Sequence, residues 1–395
     1  MRLLVIGMIM NLLVSPGVSQ AGATASSTEV VIEAGVASNP HSVRIAPDND
    51  IIVVGDNWAT RSAWAVRTDR EGRTRWRVEI PSEDPERTSA SGSEFNSSTI
   101  LQDGTTVLCG HIGVKRFSTQ PAYMLLVDSG GKKLKENRLY PADDDAFRQN
   151  DILKCIARNG GIITVGKTIK YRPINVMPRV DYFYWIAFYD VNGRLKWDQK
   201  IPINIQRLEK IDSITTTSDG HIVFCAEGAD QTEVVSIDSD GMILARISLP
   251  GSYLLVQTVA KSEVVQIASR TIGDPWKLIT FDSHLHVSQQ TVSERKLDSA
   301  LSAAWMSKEG DYMLTFGEAV RESVPKEATV VKVDMALRTF DVLDVPSLAD
   351  SSRIDAVGYS AAEDKFVMAH VFRRPHQADS PIGTSLTFLQ ITGTR

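Results

Sequence analysis

Two stretches far apart in the chain read almost alike: "GRTRWRVEIP", Gly72–Pro81, and "GRLKWDQKIP", Gly193–Pro202. Each is the tail of a longer unit. An apolar run ends in an aspartate at Asp69, Asp128, Asp190, Asp238, Asp282 and Asp334, and the first four continue as D-x-x-G. Asp bonds its own backbone and Gly accepts positive φ, so this tetrapeptide predicts a tight hairpin turn. A second apolar-patterned run follows each turn and usually stops at proline, as at Pro81, Pro141, Pro202, Pro250 and Pro346. Proline has no N–H to donate and so suits the end of an outer strand. Upstream of each aspartate lies another turn between apolar runs, for example "STILQDGTTVLCG" and "ITTTSDGHIVFCA".

Each unit therefore predicts four short strands, and the units recur roughly every fifty residues. That period is the signature of a β-propeller blade, and no long amphipathic helical pattern interrupts it. Six full units run from residue 41 to about residue 346, and a seventh starts at "RIDAVGYS" and supplies only three strands. The lone run "STEVVIEAG" at 27–35 resembles a fourth strand. The expected fold is all-β: a seven-bladed propeller of four-stranded blades, closed by the N-terminal strand completing the last blade. Closure removes exposed sheet edges.

The first 23 residues read as a signal peptide. Arg2 precedes an apolar run, Leu3 to Val14, that is too short to span a membrane, and Ala21 and Ala23 fit a small-residue cleavage site. Residues 24–395 then form one propeller domain, periplasmic or secreted, with no transmembrane span in the mature chain. A net charge of -5 argues against nucleic acid as a partner. Cys109, Cys155 and Cys225 all sit in apolar runs and read as buried, unpaired and inert.

The D-x-x-G-x-x-x-W pattern at Asp69–Trp76 and Asp190–Trp197 resembles the repeats of bacterial exported propellers with quinoprotein-like (PQQ-enzyme-like) repeats. The resemblance implies architecture and an exported setting. No vicinal cysteine pair or other trace of the quinone site is present, so no cofactor is expected. The two tryptophans read as core groups covering the gap between blades.

Strand direction alternates within a blade, so loops joining second to third strands share a face with the blade-joining loops. Long loops on a rigid scaffold carry recognition. Binding candidates on that face are Lys115, Arg116 and Phe117 of the second unit, Lys170, Tyr171, Arg172 and Arg179 of the third, and Arg373 and Arg374 of the seventh. The stretch from Lys167 to Asp181 reads as the longest of these loops. A second set marks the channel mouth: Asp212 with Lys210 ("EKID"), Asp355 with Arg353 ("SRID"), and Asp151 in "RQND", taken as their equivalent. His284 and His286 lack a third ligand nearby in sequence, so no metal site and no catalytic residue is assigned. The functional expectation is a binding scaffold, sensor or inhibitor whose partner is another protein in the cell envelope or outside the cell. The alternative is a hydrolase or lyase acting on an extracellular glycan at the channel mouth.

Overall fold

The computed structural model describes residues 24–33, 38–83, 92–114, 120–141, 147–158, 160–172, 179–203, 208–228, 230–257, 265–271, 273–297, 299–307, 310, 312–321, 324–343, 345, 351–360, 365–372 and 383–392. Residues 1–23, the expected signal peptide, lie outside them. Among the described residues all the regular structure is strand, and no helix is long and apolar enough to cross a membrane.

Strand β1 (Thr24–Glu33) is the outer edge of a four-stranded sheet, antiparallel to β28 (Gly383–Thr392). Inside it lie β27 (Lys365–Phe372) and β26 (Ser351–Ser360). The next sheet holds β2 (Ser38–Ile45), β3 (Ile51–Asn57), β4 (Ser62–Thr68) and β5 (Thr74–Ile80) in chain order. After it come β6 (Glu94–Ile100), β7 (Thr106–His111), β8 (Ala122–Val127) and β9 (Lys133–Leu139). Another sheet is built from β10 (Phe147–Arg158), β11 (Gly161–Arg172), β12 (Arg179–Asp190) and β13 (Leu195–Pro202). The fifth has β14 (Leu208–Thr216), β15 (Ile222–Gly228), β16 (Gln231–Ile237) and β17 (Ile243–Pro250).

The remaining eight strands form one sheet. One half is β18 (Tyr253–Gln257), β19 (Val265–Ser269), β20 (Pro275–Phe281) and β21 (Val287–Lys296). The other half is β22 (Ser299–Met306), β23 (Tyr312–Arg321), β24 (Val324–Asp334) and β25 (Phe340–Leu343). The first strands of the two halves run parallel and pair at Val256–Ala304 and Gln257–Trp305. The expectation of seven separate four-stranded blades is therefore corrected. The described strands form five four-stranded blades and one eight-stranded sheet. The cause is the pairing of β18 with β22, which fuses two neighbouring repeat units.

Burial follows from stacking. β4 is buried along its whole length and β3 nearly so, because both faces meet neighbouring sheets. The outer strands β5 and β9 alternate between more and less buried residues. The apolar core lies between consecutive sheets. Ile52, Val54 and Ala65 pack with Phe95, Leu108 and Leu125. Where the last sheet meets the first, Val43, Val53 and Trp64 pack with Ala356, Val367 and Leu386, and Ser38 Oγ lies 2.9 Å from Thr384 Oγ1. The three cysteines are buried and form no disulfide.

Each predicted second turn is present. Asp190 shows the mechanism: its Oδ1 accepts from the N–H of Asn192 and Arg194, while Gly193 sits at φ 67°. In two units leucine replaces glycine: Leu285 and Leu337 adopt φ 62° and 56° and are buried. Their side chains join apolar clusters, and that burial offsets the roughly 1 kcal/mol an L-residue spends in this region.

The repeated tryptophans bridge neighbouring units. Trp76 lies over the turn of the following unit, where a Cβ on Gly131 would stand 2.5 Å from its own Cβ. Trp197 covers Gly241 in the same way, at 2.6 Å. At the matching place between them Lys135 donates to Asn192 O at 2.8 Å.

Candidate functional site

The innermost strands β2, β6, β10, β14, β18, β22 and β26 line a central channel with a cavity volume of about 100 Å³. Six of them carry a β-bulge against the next strand, and β10, β14 and β26 carry a second one nearer their start. The residues that stand outside the strand register at the shared bulge are His41, Asn96, Leu153, Asp212, Ser302 and Asp355. A bulge needs a close backbone approach from the partner strand. Glycine permits it: a Cβ on Gly110 would lie 1.8 Å from Glu94 O, and one on Gly166 would lie 1.8 Å from Asp151 O.

Just outside the bulges a second row of residues is paired across the first two strands of four successive units. The pairs are Asn39–Asp56, Glu94–His111, Asp151–Lys167 and Lys210–Glu227. These two rows place titratable groups of three successive units side by side. His41 Nε2 lies 2.8 Å from Asp56 Oδ1 and 3.2 Å from Glu94 Oε1. Glu94 Oε2 lies 3.9 Å from His111 Nε2, and His111 Nδ1 lies 3.2 Å from Asp151 Oδ1. Asn96 donates to Asp151 Oδ1 at 2.8 Å and to Ile152 O at 3.1 Å, and so fixes that carboxylate. Asn39 donates to Asp56 Oδ1 at 3.3 Å. The chain of contacts runs inward: the His41 side chain is 30% exposed, that of His111 only 6%.

Burial alone would lower the pKa of His41, but the hydrogen bond to Asp56 and the charges of Glu94, Asp56 and Asp355 outweigh it and raise it. His111 is also raised: burial is offset by Asp151 and Glu94, and Lys167 opposes them. Burial raises Glu94. The cluster thus offers acceptors, imidazoles and shared protons at the mouth, the chemistry of a general acid–base pair or of a cation site.

The structure treats the sequence candidates unevenly. Asp151 is buried within the cluster, and Asp355 is half-buried on the channel wall, close enough to act on His41. Asp212 and Asp355 are both bulge residues, but Asp151 is not their equivalent: Leu153 holds that position in its unit. Lys210 and Arg353 stand on β14 and β26 beside their bulges. Lys115, Arg116, Phe117, Arg373 and Arg374 lie outside the described residues. Lys170 is half-buried, and Tyr171, Arg172 and Arg179 are on strands. The stretch read as a loop from Lys167 to Asp181 is largely a hairpin arm, since β11 and β12 stay paired out to Arg172–Arg179. His41, Asp56, Glu94 and His111 were not singled out from sequence. Their signal is positional: Asp56, His111 and Lys167 each follow the glycine that faces a bulge.

A second histidine group sits at the opposite, tight-turn end. His284 and His286 belong to the Asp282 turn, with ring centroids 6.3 Å apart, and His221 of the preceding unit approaches His284 to 5.6 Å. The third histidine missing from the local sequence comes from a neighbouring sheet.

No protein-family model matches the chain, and no curated protein is similar to it in sequence. Solved structures share its architecture. The WD40 domain of coronin from Toxoplasma gondii aligns at 9% identity over 93% of this chain and 86% of that one, with a TM-score of 0.52. An oligogalacturonate lyase from Vibrio parahaemolyticus aligns at 9% identity over 93% and 97%, with a TM-score of 0.51. This chain folds as a β-propeller. A protein from Lactobacillus plantarum covers 99% of its own length and 86% of this propeller at 9% identity and a TM-score of 0.52. At such identities the likeness concerns the fold alone, and of the expected resemblance it supports the propeller fold and nothing specific to quinoprotein-like repeats.

Proposed function

We propose that this propeller is an exported binding module that meets a partner protein through the face bearing the channel mouth. The observation that carries the reading is the β11–β12 arm. These strands run twelve residues each, where β7 and β8 run six. At about 3.3 Å per residue the extra length carries the paired arm on the order of 15–20 Å past the ends of strands β7 and β8. Propeller stability does not require an arm, and this one carries Lys170, Tyr171, Arg172 and Arg179, residue types suited to partner surfaces. It rises directly beside Asp151 and Lys167 at the mouth. The signal-peptide pattern of residues 1–23 supports an envelope or extracellular partner.

A photo-crosslinking residue placed at Tyr171, with Asn192 on the opposite face as control, tests the reading in the native host. A discrete protein adduct at position 171 and none at position 192 supports it. Equal labelling at both, or none at position 171, overturns it.

The cluster of His41, Glu94, His111 and Asp151 favours a second reading, a hydrolase or lyase acting on an extracellular glycan at the mouth. Imidazole and carboxylate side by side can take up and return a proton. Chain-length analysis of acidic oligosaccharides incubated with the protein, and with His111→Gln, tests it. Cleavage by the parent and not the variant supports it, and intact substrate in both argues for the binding module.

A further inference from the structure

The same cluster raises a question that partner binding does not touch: what satisfies its facing acceptors? His41 Nε2 carries at most one proton yet lies within 3.2 Å of both Asp56 Oδ1 and Glu94 Oε1. His111 is buried, and its Nε2 has no hydrogen-bond partner while pointing toward Glu94 Oε2 at 3.9 Å. Its Nδ1 faces Asp151, which Asn96 holds in place. A proton on Nδ1, donated to Asp151, leaves the Nε2 lone pair directed at a carboxylate oxygen. Carboxylate behind imidazole is the arrangement that orients a metal-ligating histidine.

We propose that His41, Asp56, Glu94 and His111 form a site for one divalent first-row transition ion, with Zn2+ the best match. The ligand atoms of His41, Asp56 and Glu94 lie within 4.8 Å of one another. Four donors at about 2.0–2.1 Å from a tetrahedral ion stand about 3.3 Å apart, so His41, Asp56 and Glu94 close on an ion with shifts of an ångström or so, and His111, whose Nε2 is 3.9 Å from Glu94 Oε2, moves further inward to complete the set. Two imidazoles and two carboxylates are a donor set that suits Zn2+ over Ca2+ or Mg2+, which take oxygen. The ligands come from β2, β3, β6 and β7, so the ion ties the first two units together at the mouth. It is independent of the partner-binding reading, since it needs neither the arm nor a second protein.

The test uses the full chain, stripped with chelator and titrated with ZnCl2 alone by calorimetry. One ion per chain is expected, together with a melting temperature higher by about 5 °C once the site is saturated. Glu94→Gln and His41→Gln should each weaken binding at least tenfold while leaving the circular dichroism unchanged. The turn histidines are the built-in rival: His284→Ala with His286→Ala should leave the affinity as it was. Absence of binding overturns the proposal. So does an ion that survives both mouth variants, or one lost in the turn variant. X-ray absorption of the zinc-loaded parent protein guards against variants that misfold. A first shell containing two imidazoles supports the site, and a shell of oxygen alone overturns it.

Discussion

On one side of the channel, β2, β6 and β10 bring His41, Glu94 and Asp151 to the mouth, and Arg44 and Lys154 line the wall below. On the other side, β18 and β22 present Leu254, Leu255, Ala303, Ala304 and Trp305. The charged strands keep apart and leave space for side chains. The apolar pair closes until backbone meets backbone at Val256–Ala304 and Gln257–Trp305. Small residues such as Ala303 and Ala304 allow that approach, whereas the bulges of β2 and β6 carry the larger polar side chains of His41 and Asn96. One repeated unit thus builds either a polar wall or an apolar seam, according to what its inner strand carries.

The sharpest way to break the charged side is to deny it its bulges. Gly166→Val places a Cβ inside van der Waals distance of Asp151 O. We expect a loss of about 3–5 kcal/mol in urea unfolding, with the m-value unchanged. The equivalent position in the next unit is Ala226, and Ala226→Gly should change stability by about 1 kcal/mol at most. The seam has its own counterpart. Ala304→Asp buries an unpaired carboxylate where the two inner strands meet and should cost about 3 kcal/mol. Hydrogen exchange should then accelerate at residues 256–257 before it does so on β6. Uniform acceleration would mean that the seam has no separate identity.

Histidine titration refines the contrast. His41 and His111 face carboxylates and are raised, whereas burial pushes His370 down to about 4, with Thr387 Oγ1 2.9 Å from its Nε2. The unfolded chain takes up a proton near pH 6.5, the folded one only near 4. Stability from a neutral His370 is therefore complete above about 6.5 and lost as pH falls toward 4, by at most about 3 kcal/mol. His370→Gln should flatten the stability profile within that window, and an unchanged slope would place the acid sensitivity elsewhere. The smallest effect concerns the thiols. Cys155 stands behind the charged wall and Cys225 near the seam, both buried. A thiol reagent should label neither in the native protein and all three cysteines after unfolding. Selective labelling of Cys155 would show that the charged side opens.

The strands and turns were legible because their causes are local. Asp190 and Gly193 specify a turn through their own hydrogen bonds and φ, and a continuous apolar run such as "SAWAVRT" reports a strand buried on both faces. The fusion of β18 with β22 was not legible, since it depends on the distance between two strands whose own patterns look ordinary. The site was half legible. Asp212 and Asp355 announced themselves through a shared I-D pattern, but His41 and Glu94 belong to different units and meet only once those units stack. The arm from Lys167 to Asp181 was misread as a loop because Pro173 and Pro178 read as breakers, although "TIKYR" and "RVDY" alternate as half-buried strands do.

Trp76 and Lys135 each reach forward onto the turn of the unit that follows, as Trp197 does. Every such joint is written in two halves, a reaching side chain late in one unit and a receiving turn late in the next. A gene duplication that copies one whole unit copies both halves in order, and the new piece meets its neighbours with contacts already matched. A copy that starts or stops inside a unit separates the halves. Insertions and deletions tolerated by this architecture should therefore have unit-sized lengths, and changes in channel girth should come in whole steps.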